Sequence, residues 1–184
     1  MVAKVRPYFR HMGINVNDIE KMTDFYCGLL GFVVSDRGVA SFGSRIVFLT
    51  QDEEEHHQLV LVDGRPRRIE FNSINQVSCK LGSLQDLKTF AKELRSRWFL
   101  DYESVDHGNA WSIYFSDPEE NVVECYVDTP FYTPQPCREP LDLKKSEEEI
   151  LDTTETMCRK RKGFLTRSEW ISSMKHKLSI KKKK

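Results

Sequence analysis

Residues 12–29 read MGINVNDIEKMTDFYCGL, and residues 77–94, 65 positions further on, read VSCKLGSLQDLKTFAKEL. Under that shift Met12, Ile14, Val16, Ile19, Met22, Phe25 and Leu29 fall on Val77, Cys79, Leu81, Leu84, Leu87, Phe90 and Leu94, apolar on apolar each time. Each copy opens with the period-two alternation of a half-buried strand and then changes to i, i+3, i+6, i+10 spacing, one face of a helix. Strand then helix is thus predicted twice. Asp18 and Ser83 stand where the helices need N-caps, and Gly31 stands where the first should stop.

Working outward, β-rich runs follow each helix: Phe32 to Asp36, Ile46 to Thr50 and Gln58 to Val62, then Ser112 to Phe115 and Val122 to Val127. The same shift carries Ile46, Phe48 and Val60 to Trp111, Ile113 and Cys125, so the repeat extends into the strands. Gly38, Gly43, Asp63-Gly64, Gly108 and Asp117-Pro118 supply turns. Two copies of this length make a pseudo-twofold pair, not an array. The expected fold class is α+β: two tandem βαβββ modules, about 8–64 and 72–128. An extended, proline-stiffened segment, 129–143, completes that domain. A helical, basic extension follows over 144–184. Ser146-Glu147-Glu148-Glu149 opens it as a capping box, with Ile150, Leu151 and Thr154 on one side of the helix. Trp170, Ile171, Met174 and Leu178 mark a second helix that docks on the body or on a second subunit, and Lys181 to Lys184 should fray.

The formal net charge is zero, but Arg159 to Lys184 holds eleven Lys/Arg and one acid, so the tail carries +10 and residues 1–158 carry −10. An acidic body disfavours nucleic-acid binding except through the tail, which could also serve nuclear or organellar delivery. No apolar run approaches the ~20 residues of a membrane span, and Met1-Val2-Ala3-Lys4 leads into no apolar signal region. Five scattered cysteines, none in a Cys-x-x-Cys pair, fit a reducing, cytoplasmic interior.

Glu124 carries the chemistry. It lies inside the apolar run Val122-Val123-Glu124-Cys125-Tyr126-Val127, where a carboxylate is costly unless hydrogen-bonded, paired or bound to metal. His11 opens the first strand and its partner under the shift is Gln76, while Glu124 pairs with Leu59. Three of these four related positions can donate a lone pair to a cation.

The stretches His11-Met12-Gly13-Ile14-Asn15-Val16, Phe25-Tyr26-Cys27-Gly28-Leu29-Leu30-Gly31-Phe32, His56-His57-Gln58-Leu59-Val60-Leu61, Asp106-His107-Gly108, Ser112-Ile113-Tyr114-Phe115-Ser116-Asp117-Pro118 and Asn121-Val122-Val123-Glu124 resemble the vicinal oxygen chelate superfamily of glyoxalases, bleomycin-resistance proteins and extradiol dioxygenases. The series His-His, Asp-His-Gly, Tyr and Glu is most similar to single-domain extradiol ring-cleaving enzymes. The resemblance implies that the two modules form a curved mixed sheet around a metal cleft, with the metal held by His11, Gln76 and Glu124 and with Leu59 as the apolar fourth corner. Gln76 stands where the family has a second histidine. It also implies His57 as the acid–base residue, His107 near substrate and oxygen, and Tyr114 as a phenol bonded to the substrate oxygen. Of the adjacent pair, His57 is chosen on family register and His56 is the alternative.

The implied activity is ring cleavage of a catechol-like aromatic, with Fe(II) as cofactor or Mn(II) or another divalent ion in its place. The alternatives are a glyoxalase-like lyase, isomerase or epimerase acting on a vicinal-oxygen substrate, and a small-molecule binding protein without metal. A homodimer is left open by the superfamily's habit of pairing modules.

Overall fold

In the computed structural model, which describes residues 7–97 and 101–183, the chain falls into two compact units: Met1–Ile74 with Asp117–Asn121, and Asn75–Ser116 with Val122–Lys184. In the first unit β1 (Met12–Val16) leads into α1 (Ile19–Leu30), β2 (Val33–Val39), β3 (Arg45–Thr50) and β4 (Leu59–Asp63). These strands form one mixed sheet in the order β1-β4-β3-β2, with β1 parallel to β4. The second unit repeats the pattern with β5 (Val77–Lys80), α2 (Leu84–Ser96), β6 (Glu103–Asp106), β7 (Ala110–Ser116) and β8 (Val122–Asp128), ordered β6-β7-β8-β5 with β5 parallel to β8. Both modules are therefore βαβββ, and the fold is α+β as the repeat predicts.

The helix ends form as their residues dictate. Asp18 and Ser83 accept hydrogen bonds from Lys21 N and Asp86 N, satisfying donors the first turn cannot use. Gly31 ends α1 in the left-handed conformation at φ 74°. The buried stripe of α1 is Ile19, Met22, Tyr26 and Leu29, and that of α2 is Leu84, Leu87, Ala91 and Leu94. The third member lies one residue beyond the expected Phe25 and Phe90, which are half-buried.

The strand registers correct the repeat. Met12 opposes Leu59 in the first sheet, and its counterpart Val77 opposes Val123 in the second. Counting along, Leu61 matches Cys125, and Val60, not Leu59, matches Glu124. Next to them Val47 and Leu49 stand where Ile113 and Phe115 stand, so Phe48 matches Tyr114. Burial agrees: Val47, Leu49, Leu59 and Leu61 are at most 3% exposed. The shift of 65 thus holds for the first strand and helix and slips by one residue in β3 and in β4, which moves a side chain to the other face.

The first unit also contains the turn 117–121. Asp117, buried, accepts bonds from the backbone of Glu119 and Asn121, from Asn121 Nδ2 and from Tyr26 Oη at 3.2 Å. Glu119 Oε1 receives the amides of Asn17 and Asp18, both at 2.7 Å, placing a carboxylate at the positive end of α1. Arg65 reaches Glu119 and Asn121 at 3.4 and 2.9 Å.

Beyond β8 the second unit continues through β9 (Phe131–Tyr132), β10 (Glu139–Pro140), α3 (Glu147–Lys160), β11 (Leu165–Thr166) and α4 (Arg167–Lys183). β10 adds to the edge of β6 and β11 pairs with β9. Ser146 and Glu149 form the expected capping box. The face that α3 buries is Ile150, Thr154 and Cys158, while Leu151 points outward at 38% exposure. Trp170 of α4 stacks on Tyr132 with ring centroids 5.6 Å apart, whereas Leu178 is exposed. The helix runs through Lys181 to Lys183, where fraying was anticipated, and Lys184 lies outside the described residues. All five cysteines are unbridged. Among the described residues no helix is long and apolar enough to cross a membrane.

Candidate functional site

Each unit gathers candidate residues of its own. In the second, alternation along adjacent strands places Ser78, Glu124, Tyr114 and Glu103 in one cross-strand row over β5, β8, β7 and β6. Gln76, two residues before Ser78, shares its face. Glu124 is 8% exposed, and its carboxylate is satisfied by neutral donors. Oε2 accepts from Gln76 Nε2 and Ser78 Oγ, both at 2.7 Å, and Oε1 accepts from Tyr114 Oη at 2.6 Å. Gln76 Nε2 also reaches Ser78 Oγ at 2.9 Å.

The row continues from Tyr114 Oη to His107 Nε2 at 2.8 Å, and His107 Nδ1 lies 2.6 Å from the carbonyl of Cys137. A carbonyl only accepts, so the hydrogen is on Nδ1. The single phenolic proton of Tyr114 then faces two acceptors, Glu124 Oε1 and His107 Nε2. Burial raises the Tyr114 hydroxyl to about 12, reinforced by its hydrogen bond to Glu124 and by the charge there, so it stays a donor. The Arg138 guanidinium sits 5.1 Å above the Tyr114 ring and pairs with Glu103 at 2.5 Å.

In the first unit His11 directly precedes β1 and His57 lies just before β4, which runs parallel to it. Their ring centroids are 4.2 Å apart. His56 Nδ1 and His57 Nδ1 approach to 2.9 Å and share one proton. Phe48 packs against both rings, at 5.4 and 5.0 Å. The preceding loop is held by Arg10 to Glu55 at 3.0 Å. Desolvation lowers the His57 pKa below the ordinary 6.5, helped by repulsion from His11 and His56 and opposed by Glu55. A neutral imidazole able to accept a proton is the consequence.

The structure thus groups Gln76, Glu124, Tyr114 and His107 in one unit and His11 and His57 in the other. Ser78, Arg138 and the Cys137 carbonyl were not among the residues expected. Ser78 was readable, being two residues along a strand from Gln76; the other two left no signal. Among the described residues no three His, Cys, Asp or Glu side chains are gathered to hold a metal ion. The chemistry of the donors nonetheless fits one. Gln76 Oε1 has no hydrogen-bond partner among the described residues, and rotating the amide exchanges its donor for that oxygen beside Glu124. Amide and carboxylate oxygens are harder donors than imidazoles.

Comparison with known proteins bears on the fold and the family. The family model "Glyoxalase/Bleomycin resistance protein/Dioxygenase superfamily" matches residues 8–125. Biphenyl-2,3-diol 1,2-dioxygenase 2 of Rhodococcus globerulus is 30% identical over 132 residues, covering 70% of this chain and 66% of that protein. Biphenyl-2,3-diol 1,2-dioxygenase 3 of the same organism is 31% identical over 154 residues, covering 81% of this chain and 76% of that one. The chain spans just under two thirds of the first relative. A glyoxylase/bleomycin resistance protein/dioxygenase domain from Frankia sp. EAN1pec shares the fold with a TM-score of 0.57 at 15% identity, covering 67% of this chain and 99% of that one.

Proposed function

We propose a function from the premise that the chain belongs to the glyoxalase/bleomycin resistance protein/dioxygenase superfamily, which its match over residues 8–125 shows: metal-dependent, extradiol-type ring cleavage of a catechol-like substrate. The observation that carries this reading is the row from Glu124 through Tyr114 to His107, a buried carboxylate joined to a proton-handling pair. Support also comes from the two biphenyl-2,3-diol 1,2-dioxygenases at 30 and 31% identity.

The residues assigned to the metal are His11, Gln76 and Glu124, with Fe(II) the first choice and Mn(II) the alternative that the harder donor set favours. When bound, that ion would supply Lewis-acid and redox chemistry. The chain's own groups handle the protons. Neutral His57 takes a hydroxyl proton from the incoming catechol. Tyr114 donates a hydrogen bond to a substrate oxygen, and His107, its Nδ1–H fixed on Cys137, moves a proton at Nε2. If His57 is the base, kcat/KM for catechol rises with pH through an inflection below 6.5. A His57→Gln variant lacks that limb, and a profile flat across the range excludes the assignment.

A second reading, a small-molecule binding protein without metal, is favoured by one observation: the Gln76 amide and Ser78 hydroxyl already satisfy Glu124. Metal analysis by mass spectrometry on protein purified anaerobically without chelators, followed by ring-cleavage assays with a panel of catechols, separates the two. Near one iron or manganese per chain with turnover supports the enzyme. No metal after Fe(II) reconstitution supports the binder. Gln76→His sharpens the test, because a softer third donor should tighten metal binding by at least ~10-fold, the scale of altered surroundings at metal sites. Unchanged affinity in that variant removes Gln76 from the ligand set.

A further inference from the structure

We propose that Thr154 is a positioning residue for His107, and that the segment beyond the family match, residues 129–158, sets the tautomer and aim of that imidazole. The inference rests on the reading of His107 as a proton-transfer group.

Besides the backbone bond from His107 N to Ala110 O, the loop Asp106-His107-Gly108 is held by residues that follow the matched region. Asp106 is 5% exposed. Its Oδ2 accepts from Thr154 Oγ1 at 2.5 Å, and its Oδ1 accepts from Gly108 N at 2.7 Å. Thr154, fully buried in α3, also accepts from Trp111 Nε1 at 2.7 Å, so one hydroxyl joins an indole on β7 to the carboxylate. Thr129 Oγ1 donates to Gly108 O at 2.5 Å and Gln135 Nε2 to His107 O at 2.8 Å. The last tie is the Cys137 carbonyl on His107 Nδ1. It leaves Nε2 as the atom facing Tyr114.

Thr154 is the member on which the others depend. A valine there keeps the shape of the side chain, strips a buried carboxylate of its shortest donor and removes the hydroxyl that accepts from Trp111 Nε1. Asp106 then no longer fixes the Gly108 amide, and the peptide carrying His107 gains freedom between two anchors that were set for one position. A serine keeps the hydroxyl and loses only a methyl group. A purely structural tie would alter stability in the valine variant and leave the imidazole as it was.

The test is a two-bond proton–nitrogen correlation spectrum of full-length protein labelled with 15N-histidine, the His107 signals being assigned by their loss in His107→Gln. The expected result is a single Nδ1–H tautomer in the native protein, mixed or averaged tautomers in Thr154→Val, and recovery in Thr154→Ser. Catechol turnover measured in parallel should fall ~10–100-fold in kcat for the valine variant, the usual scale of a residue acting through another, with KM within about twofold and recovery in the serine variant. An unchanged His107 signal in Thr154→Val overturns the proposal. So does an Nε2–H tautomer in the native protein, a reading that needs no variant to fold. Absence of turnover in every form, with the tautomer behaving as described, counts against ring cleavage and leaves the positioning role standing.

Discussion

Replacing Glu124 by alanine should empty the metal site and lower ring-cleavage turnover by at least ~100-fold, since disturbing residues around metal ligands alone commonly costs ~10–100-fold. It removes the one carboxylate of the assigned set and the acceptor shared by Gln76, Ser78 and Tyr114. Each buried donor left without a partner costs about 1–3 kcal/mol, so thermal stability should fall too. Glu124→Gln separates the effects: it refills the space, keeps an acceptor oxygen for Gln76 and Ser78 and turns an amide donor to the Tyr114 oxygen, yet lacks the negative charge of the assigned set. Metal content by mass spectrometry and the melting temperature should therefore diverge, with metal lost in both variants and stability largely retained in the glutamine form. A full metal complement in Glu124→Ala removes this residue from the ligand set and the proposed chemistry with it.

The largest effect on stability is expected from Gly108→Ala. Gly108 has φ 74°, and an added Cβ would lie 2.5 Å from Thr133 Cγ2 and 2.8 Å from Cys158 Sγ. Thr133 and Cys158 are both 0% exposed, so neither can retreat. Left-handed backbone costs about 1 kcal/mol or more, and overpacking a well-filled site adds about 1–3 kcal/mol. At about 2–4 °C per kcal/mol for a chain of this size, the melting temperature should drop by about 5–15 °C. Gly31→Ala is the control, having the same φ of 74° and nothing within 4 Å of the added atom. It should show the backbone cost alone. Equal shifts in the two variants would mean that crowding at Gly108 is relieved.

How much of this was legible in the sequence depended on whether alternation had a phase. In β1 and β5 polar residues interrupt the apolar ones, so Met12, Ile14 and Val16 identify their face, and the pairing of His11 with Gln76 follows. Ile46-Val47-Phe48-Leu49 and Leu59-Val60-Leu61-Val62 are apolar at every position, and a period of two cannot be read from an unbroken run. The repeat was therefore placed one residue out there, with Leu59 taken for Val60. β6, reading Glu-Ser-Val-Asp, offers no apolar pattern and went unread. Glu124, Tyr114 and His107 were singled out by residue type and order. The carbonyl of Cys137 could not be, because a backbone acceptor is the same for every residue. Thr154 was assigned to a helix face, and its bond to Asp106, 48 residues away, depends on packing that spacing does not encode.

The turn residues 117–121 bear on how the protein is made. Asn17 and Asp18 give their amides to a carboxylate 102 and 101 residues later, and the hydroxyl of Tyr26 reaches one 91 residues later. The first module leaves the ribosome long before Glu119 exists, so its leading helix must wait with exposed amides until most of the second module has been synthesised. Such distant closures slow folding, because loop entropy is spent before the contact forms. A nascent chain halted near residue 80 should therefore be more open to protease than the same residues within the finished protein. Completion of the amino-terminal half is then an event of late translation.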